Sequence, residues 1–333
     1  MIEDVVRFTF DDAPLTAAAK NLRHDLATVL ARDSLRHRLA LRNVTGDVGV
    51  GLAAEAALPR RAVSDLLAAN AARATQALRS LEEMAAVVAP ETSHWFERLR
   101  YRVYDIERLA VTAARARDRL AAATVCVLVD GRSDEAAFAR LVEQLLEAGV
   151  RMFQLRDKTL PVPVLVARAR AAIDLARRRD PANPALVIIN DRVDVAAAVG
   201  AAGAHVGSED LSVPLARRVL GPDAVIGATA HDVAEARATV AAGADYLGIG
   251  PCFPSDTKGF AAFAPRDFLR SVATETAVPV YAIGGITLDR LDELVELGIR
   301  RVAVAAAVTK AADPGTAAAG FIARLAALAD RFA

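Results

Sequence analysis

The sequence predicts an α/β protein, a (βα)8 TIM barrel preceded by an all-α helical domain. Three observations support this. The first 120 residues show an almost purely helical pattern. From residue 124 onward, short β-branched runs alternate with amphipathic segments, and there are eight such runs in about 210 residues. An open doubly wound sheet would carry fewer strands and a glycine fingerprint after the first strand, which this sequence lacks.

The helical domain is predicted to span residues 1–120 and the barrel domain residues 121–333. Leu, Ala, Arg and Glu dominate the first domain, and all four favour helices. Acid pairs at residues 3–4 and 82–83, followed by Arg23 and Arg100, indicate a degenerate internal repeat and a pseudo-symmetric bundle. A glycine-rich stretch at 43–51 lies between the copies and is either a linker or a ligand loop.

The eight predicted strands share compact apolar runs that end in small or polar residues. They are 124–129, 152–155, 186–189, 204–206, 225–228, 246–249, 280–283 and 302–305. Amphipathic stretches such as 134–148, 232–242 and 288–297 follow them. Glycines at 149, 243 and 298 are typical of helix C-termini, where a left-handed residue ends the helix.

Composition narrows the class of function. Acidic and basic residues balance at 41 each, which argues against nucleic acid and membrane surfaces as partners. The two cysteines, Cys126 and Cys252, have neither metal-site nor disulfide spacing and indicate a reducing compartment. Residues 1–4 carry acids where a signal peptide needs positive charge, and no apolar run is long enough to span a bilayer. We therefore expect a soluble, cytoplasmic protein.

The second predicted strand ends in two cations and an amide. Alternation places Gln154, Arg156 and Lys158 on one side of the chain, facing the same ligand. An arginine fork beside a mobile lysine suits a diphosphate. A solvated surface charge cluster is the alternative.

Two aspartates follow the third and fourth predicted strands. Asp191 comes after Asn190, and Asp210 lies four residues beyond Val206. Mg²⁺ takes one or two carboxylates and completes its shell with phosphate oxygens and water, so the pair indicates a magnesium site beside a polyanion. Both aspartates could instead, or in addition, cap the helices that follow.

Thr229 and His231 follow the fifth strand. Thr229 supplies a hydroxyl at the strand end. His231 is interpreted as a helix cap or packing residue rather than a base, because no nucleophile or carboxylate partner is visible nearby.

The late strands carry the signs of a phosphate cradle. Residues 250–258 leave an apolar strand and present Ser255, Thr257 and Lys258. Gly284 and Gly285 follow the seventh strand, and alanines 305–307 follow the eighth. Small residues leading into helix N-termini bind phosphate in such barrels. Taken singly, the loop could be a solvated turn and the glycine pair a tight turn.

Together, these strand ends predict two small phosphorylated substrates bound by one barrel. The sequence shows neither a catalytic triad nor a redox motif, nor a lysine buried within a strand. Phosphate-assisted group transfer is therefore favoured over hydrolysis or redox chemistry.

Five motifs in the barrel domain resemble those of thiamine-phosphate synthases, in the same order. They cover residues 154–158, 190–192, 205–211, 250–258 and 282–286, within a match of about 124–310. The resemblance implies a Mg²⁺-dependent transferase that joins hydroxymethylpyrimidine diphosphate to thiazole phosphate. Diphosphate would leave first, and the thiazole nitrogen would trap the resulting pyrimidine-methyl cation.

The resemblance also assigns roles to individual residues. The catalytic set would be Arg156, Lys158 and Lys258, with magnesium held by Asp191 and Asp210. The substrate-binding set would be Gln154, Arg156, Lys158, Asn190, Thr229, Ser255, Thr257, Lys258, Gly284, Gly285, Ala305 and Ala306.

Three positions depart from the family pattern. Thr229 stands where serine is usual and Ser255 where threonine is frequent, so both keep a hydroxyl. Ala306 stands near a usual serine, which leaves only backbone amides there for a phosphate. A related thiazole tautomerase shares the late cradle but resembles this chain less at the early strands. A phosphate-ligand sensor with a helical output domain is the alternative outside enzymes.

The N-terminal domain resembles a small helical domain found fused to this synthase and associated with hydroxymethylpyrimidine-phosphate kinase activity. The resemblance rests on residues 22–26, 46–49, 77–83 and 99–102. The second copy of the repeat is preceded by a helical stretch, 70–79, that the first copy lacks, so we expect a shortened first copy. Kinase activity, oligomerisation into a homo-oligomer and simple packing all remain open for this domain.

Overall fold

The computed structural model describes residues 1–8, 13–32, 35, 63–254 and 263–331. These form two compact units, Met1–Ala114 and Arg115–Ala333, which are considered separately. The two units divide within helix Pro90–Leu120, whereas the boundary predicted from the sequence lies after residue 120, at the end of that helix. Within the described residues, no helix is both long enough and apolar enough to cross a membrane.

The N-terminal unit is helical, as predicted. Its described helices are α1 (Ile2–Phe8), α2 (Ala13–Leu30), α3 (Val63–Val88) and α4 (Pro90–Leu120). Proline stands at the start of α4, where its missing N–H costs no helical hydrogen bond. The helices bury apolar residues at helical spacing: Val29, Ala71, Leu78, Ala85, Phe96, Leu99 and Val103.

The predicted internal repeat appears as two matching ion pairs. Arg23 donates from Nε to Oε2 of Glu3 at 2.8 Å and from Nη2 to Oε1 at 3.5 Å. Arg100 repeats the same atom pairing with Glu82, at 2.9 and 3.4 Å. Each copy thus uses one arginine fork to hold the preceding helix.

The two pairs differ in burial, so we expect Glu82→Gln to destabilise the helical unit more than Glu3→Gln. The side chains of Glu82 and Arg100 are 13% and 10% exposed, whereas those of Glu3 and Arg23 are 22% and 61% exposed. Removing the partner of a buried charge leaves that charge uncompensated, while an exposed pair contributes little.

Hydrogen exchange of the full chain measures this difference. Glu82→Gln should accelerate amide exchange in α3 and α4, and the matched Glu3→Gln should leave exchange in α1 and α2 nearly unchanged. Equal acceleration in both variants would show that burial does not distinguish the two pairs.

The C-terminal unit is a closed barrel of eight parallel strands in sequence order, as predicted. The strands are β1 (Val125–Val129), β2 (Met152–Leu155), β3 (Leu186–Asn190), β4 (Gly203–Val206), β5 (Val225–Ala230), β6 (Tyr246–Ile249), β7 (Val280–Ile283) and β8 (Val302–Val304). β2, β6 and β7 have the predicted bounds. The other five differ by one or two residues at an end.

Helices follow the strands around the barrel. They are α5 (Glu135–Glu147), α6 (Val162–Arg179), α7 (Val193–Val199), α8 (Val213–Leu220), α9 (Val233–Ala241), α10 (Arg266–Glu275), α11 (Leu291–Glu296), α12 (Ala306–Thr309) and α13 (Pro314–Arg331). Asp134 caps α5 by accepting from the amide of Ala137 at 2.8 Å. Gly149, Gly243 and Gly298 have positive φ just after their helices, as predicted.

The barrel interior is apolar toward the N-terminal ends of the strands. Its buried side chains include Cys126, Met152, Ile188, Val225 and Tyr281. Bulky residues from alternate strands fill such a barrel in layers, so this end is a packed core. The polar inward positions lie nearer the C-terminal ends, which leaves that end for chemistry.

Candidate active site

The loop after β2 presents two of the predicted cations on a fixed backbone. Between Arg156 and Lys158, the carboxylate of Asp157 turns away and accepts from the amide of Gly131 at 3.1 Å and from the amide and hydroxyl of Thr159 at 2.8 and 2.7 Å. Burial of Asp157 opposes its ionisation, but these hydrogen bonds outweigh burial and lower its pKa. A permanently ionised Asp157 therefore anchors the loop.

The structure brings Lys158 and Asp191 together across two loops. Lys158 Nζ lies 3.4 Å from Oδ2 of Asp191, although the lysine side chain is 65% exposed. Gln154 precedes the loop at a buried position in β2. The predicted cluster at the early strands is thus assembled from β2 and the loop after β3.

Asp191 and Asp210 lie close enough to influence each other. Burial is the larger cause that raises the pKa of Asp191, the neighbouring carboxyl of Asp210 raises it further, and Lys158 acts in the opposite direction. Asp191 also has φ of 61°, one of two non-glycine residues with positive φ in the described chain. Strain of this kind persists where the surrounding structure holds it, often at functional sites.

The capping alternative for these aspartates is wrong. The N-cap positions of α7 and α8 are Arg192 and Ser212, and neither helix has a side-chain cap. Asp210 instead accepts from the amide of Gly207 at 2.8 Å, within its own loop. Neither carboxylate therefore caps the helix that follows it.

The carboxylate pair fits a magnesium ion. Asp210 adds negative charge beside Asp191 and raises its pKa, and Mg²⁺ is commonly held by one or two carboxylates plus phosphate oxygens and water. Among the described residues, no cluster of three or more His, Cys, Asp or Glu could hold a metal alone. Asp191 and Asp210 would thus need oxygens from a bound phosphorylated ligand.

A hydrogen-bonded chain crosses the barrel interior beneath these loops. His205 Nδ1 lies 3.1 Å from the hydroxyl of Tyr246, and His205 Nε2 lies 2.9 Å from Oγ1 of Thr229. Burial lowers the pKa of His205 to about 4, so the ring is neutral at physiological pH. Asn190 ends β3 opposite His205 in the register, which places it at the same level.

His231 lies immediately before α9, whose N-cap is Asp232, and Glu235 is a carboxylate partner that the sequence did not reveal. Its backbone amide donates to Oε2 of Glu235 at 2.7 Å, and its Nδ1 lies 3.3 Å from the same oxygen. Asp232 completes the cap by accepting from the amide of Glu235 at 2.7 Å. Glu235 thus accepts from the residue before the N-cap, and His231 lies at the helix start.

The glycine pair after β7 lies directly against the loop after β6. A Cβ on Gly284 would lie 2.7 Å from Cβ of Pro251, and one on Gly285 would lie 2.4 Å from the carbonyl oxygen of Phe253. Both glycines have positive φ, 87° and 65°. Only glycine fits this approach and this backbone shape.

Arg290 connects the glycine pair after β7 to the loop after β6. Its Nη1 donates to the carbonyl of Gly285 at 2.5 Å and to that of Pro254 at 3.2 Å. Its guanidinium also lies 4.9 Å from the ring centroid of Phe253. Arg290 thus holds the glycine pair and the loop after β6 together through their backbone carbonyls.

The remaining predicted residues divide into two groups. Ala305 and Ala306 lie at the start of α12, the turn that follows β8. Ser255, Thr257 and Lys258 fall outside the described residues, although the described part of their loop reaches Pro254.

Sequence reasoning did not single out Tyr246, His205 or Arg290 as site residues. Alternation along β4 and β6 could have placed His205 and Tyr246 inside the barrel, since their neighbours in each strand are apolar. Arg290 offers no comparable sequence signal. Its partners are backbone carbonyls, which every residue type has, so no residue pattern reveals the contact.

Comparison with known proteins matches both units. A family model described as thiamine monophosphate synthase matches residues 125–308, and one for the ThiD2 family matches residues 1–109. The thiamine-phosphate synthase of Rhodopirellula baltica is 35% identical over 317 residues, 92% of this chain and 83% of the relative. That of Gloeobacter violaceus is 37% identical over 328 residues, 98% of this chain and 92% of the relative.

A solved structure agrees with these matches for the barrel. The thiamine phosphate pyrophosphorylase from Pyrococcus furiosus is 32% identical, with a TM-score of 0.55, and covers 62% of this chain and 96% of its own. The chain therefore belongs to the thiamine-phosphate synthase family of transferases, with a ThiD2-family domain at its N-terminal end.

Proposed function

We propose that the barrel condenses 4-amino-5-hydroxymethyl-2-methylpyrimidine diphosphate with thiazole phosphate, or its carboxylated form, to give thiamine phosphate and diphosphate. One observation carries the proposal beyond family membership. The end of the barrel that bears the Arg156, Lys158, Asp191 and Asp210 cluster also bears the Gly284–Gly285 wall. Two cations beside a carboxylate pair that can hold Mg²⁺ suit a leaving diphosphate, and a separate glycine cradle suits a second, retained phosphate.

In the proposed reaction the C–O bond of the pyrimidine methylene breaks, and its electron pair leaves with the diphosphate. The nitrogen lone pair of the thiazole then forms the new C–N bond to the methylene cation. Arg156 and Lys158, together with Lys258, stabilise the charge that develops on the departing group. A neutral nitrogen with a free lone pair needs no deprotonation, so the reaction requires no strong general base.

Magnesium belongs to this proposal. Asp191 and Asp210 would hold the ion, which supplies charge neutralisation to the diphosphate oxygens when bound. The residues themselves position the diphosphate between the Asp157-anchored loop and the aspartate pair.

The remaining binding residues are assigned to one or the other of the two substrates. Gln154 and Asn190 would bind the pyrimidine diphosphate, and Thr229 would offer a hydroxyl between the substrates. The residues proposed for the thiazole phosphate are Ser255, Thr257, Gly284, Gly285, Ala305 and Ala306.

Arg290→Ala is expected to raise the KM for thiazole phosphate about tenfold or more, with a smaller effect on the KM for the pyrimidine diphosphate. The two hydrogen bonds from Arg290 fix the cradle walls, and each hydrogen bond from a charged donor contributes roughly 1.5–3 kcal/mol. Steady-state kinetics with each substrate varied in turn measures the effect. Arg266→Ala, which removes a surface ion pair with Glu293, is the control. An equal rise in both KM values would contradict a role confined to the cradle.

The decisive assay mixes both substrates with purified protein and measures diphosphate release and thiamine phosphate, with and without Mg²⁺. Release that requires both substrates and magnesium supports the synthase. Turnover of thiazole phosphate alone without magnesium would indicate a tautomerase. Tight binding of both substrates without turnover would indicate a sensor.

For residues 1–120 we propose pyrimidine-phosphate kinase activity or, failing that, assembly into a homo-oligomer. The ThiD2-family match and the matching ion pairs of α1–α2 and α3–α4 support a defined helical domain. ADP formation by the full chain with ATP and the pyrimidine monophosphate tests the first role. Sedimentation of the full chain tests the second.

The proposed setting is a reducing cytoplasm that contains both small phosphorylated substrates, with neither nucleic acid nor membrane as a partner. The unpaired state of Cys126 and Cys252, both buried, supports it.

A further inference from the structure

Three side chains from three neighbouring strands form a continuous buried chain under the proposed substrate site. Tyr246 on β6 contacts His205 Nδ1 on β4 at 3.1 Å, and His205 Nε2 contacts Thr229 Oγ1 on β5 at 2.9 Å. Tyr246 is 2% exposed and His205 8%. Polar groups this deeply buried need hydrogen-bond partners, and Tyr246 and His205 provide them for each other.

The sequence makes room for both rings. A Cβ on Gly227 would lie 1.9 Å from Cζ of Tyr246, and a Cβ on Gly248 would lie 3.2 Å from Cε1 of His205. Glycine inside a strand weakens it, so its use on two neighbouring strands needs a reason. Accommodation of the tyrosine and histidine rings supplies that reason.

The chain has a direction. A neutral imidazole has one nitrogen that donates and one that accepts, so His205 can pass a hydrogen bond only one way between its two partners. Among the residues that the structure describes, the hydrogen-bond partner of the Tyr246 hydroxyl is Nδ1 of His205. A buried hydroxyl proton needs an acceptor, so the Tyr246 hydroxyl donates to His205 Nδ1.

We propose that Tyr246 is a positioning residue: its hydroxyl donates to Nδ1 of His205, which fixes the imidazole proton on Nε2 and makes Nε2 donate to Thr229. The Thr229 oxygen then accepts from inside the barrel, and its own proton points to a ligand. Thr229 thereby selects a hydrogen-bond acceptor on the substrate, such as a ring nitrogen or a phosphate oxygen.

The identity of that substrate rests on the proposed function, whereas the direction of the hydrogen bonds from Tyr246 through His205 to Thr229 does not. Proton positions on His205 are therefore measured first. Two-dimensional NMR of the full chain, labelled with ¹⁵N-histidine and assigned by comparison with His205→Gln, reports which ring nitrogen carries the proton.

We expect Nε2 to be protonated in the unaltered chain and the proton to move at least partly to Nδ1 in Tyr246→Phe. Tyr281→Phe is the matched control. Tyr281 packs against Tyr246 with centroids 5.3 Å apart, but its hydroxyl donates to the Ala123 carbonyl at 2.6 Å. A proton on Nδ1 of the unaltered chain, or an unchanged tautomer in Tyr246→Phe, would overturn the proposal.

Kinetics then test the consequence at Thr229. Tyr246→Phe and Thr229→Val should each lower kcat/KM about tenfold, the size expected for one misdirected hydrogen bond. Thr229→Ser should restore most of the activity that Thr229→Val loses, because it keeps the hydroxyl, and Tyr281→Phe should stay within about twofold of the unaltered chain. Loss of activity in Tyr281→Phe equal to that in Tyr246→Phe would point to packing instead of positioning. If the unaltered protein has the expected His205 tautomer but no synthase activity, the proposed function is wrong. The direction of the hydrogen bonds from Tyr246 to Thr229 is then still supported.

Discussion

Asp191→Asn is expected to lower synthase activity by roughly 10²–10³-fold while raising the melting temperature of the magnesium-free protein. The loss of activity follows from removal of one of the two carboxylates proposed to hold the ion. The gain in stability follows from burial and from Asp210, which both disfavour the ionised form of Asp191 and raise its pKa. Active sites often keep such destabilising charges because function requires them.

The sign follows from proton linkage. An acid whose pKa is higher in the folded than in the unfolded chain destabilises the fold fully above its folded pKa and not at all below its unfolded pKa. Near neutral pH Asp191 is in the destabilising range, and a neutral amide removes the penalty. Asparagine also tolerates the φ of 61° at this position, so the backbone does not oppose the change.

Asp194→Asn provides the opposite case three residues away. Hydrogen bonds from Arg192, at 2.8 and 2.6 Å, lower the pKa of Asp194, so its loss should reduce the melting temperature and leave activity nearly intact. Thermal unfolding in EDTA gives both signs, and added Mg²⁺ should stabilise the unaltered chain more than Asp191→Asn. A lower melting temperature in both variants would contradict the charge argument.

The sequence predicted the barrel well because its signals are local. Each strand is a short β-branched run, and β2, β6 and β7 match their predicted bounds. The errors at other strand ends, such as Asn190 in β3, arise where a polar residue still pairs with the next strand. Pairing is a property of the closed sheet and not of the single strand.

The candidate site could be predicted only where chemistry coincides with strand ends. Alternation predicted that Arg156 and Lys158 face the same ligand, but the anchoring of their loop by Asp157 depends on Gly131, 26 residues earlier. The interior chain joins Tyr246 to His205 across 41 residues, a contact that exists only once the barrel closes. Arg290 was beyond sequence reasoning because it binds backbone carbonyls.

The internal repeat shows the same limit in the helical unit. Matching acids and arginines indicated two copies, and both pairs indeed form with the same atoms. Their unequal burial depends on neighbouring helices, so the pattern alone did not distinguish a weak pair from a strong one.

Arg156→Ala is expected to reduce kcat by roughly 10²–10³-fold, the range for removing one preorganised group that stabilises transition-state charge. Arg156 is partly buried on a loop whose backbone is held by Asp157, so it is in place before the diphosphate leaves. Lys158 is 65% exposed and pairs with Asp191, so Lys158→Ala should cost less, about tenfold. A larger decrease in kcat for Arg156→Ala than for Lys158→Ala would indicate that a preorganised position matters more than the positive charge alone.

Two further variants distinguish the role of Arg156 from its charge and from general effects. Arg156→Lys keeps the charge but loses the planar fork, so its kcat should fall between those of the unaltered chain and Arg156→Ala. Arg192→Ala is the matched control, because Arg192 also follows a strand but is bound to Asp194. If Arg156→Ala raised only KM, with kcat unchanged, the arginine would bind substrate and transition state equally. Departure of the diphosphate would then depend on the remaining cations and not on this side chain.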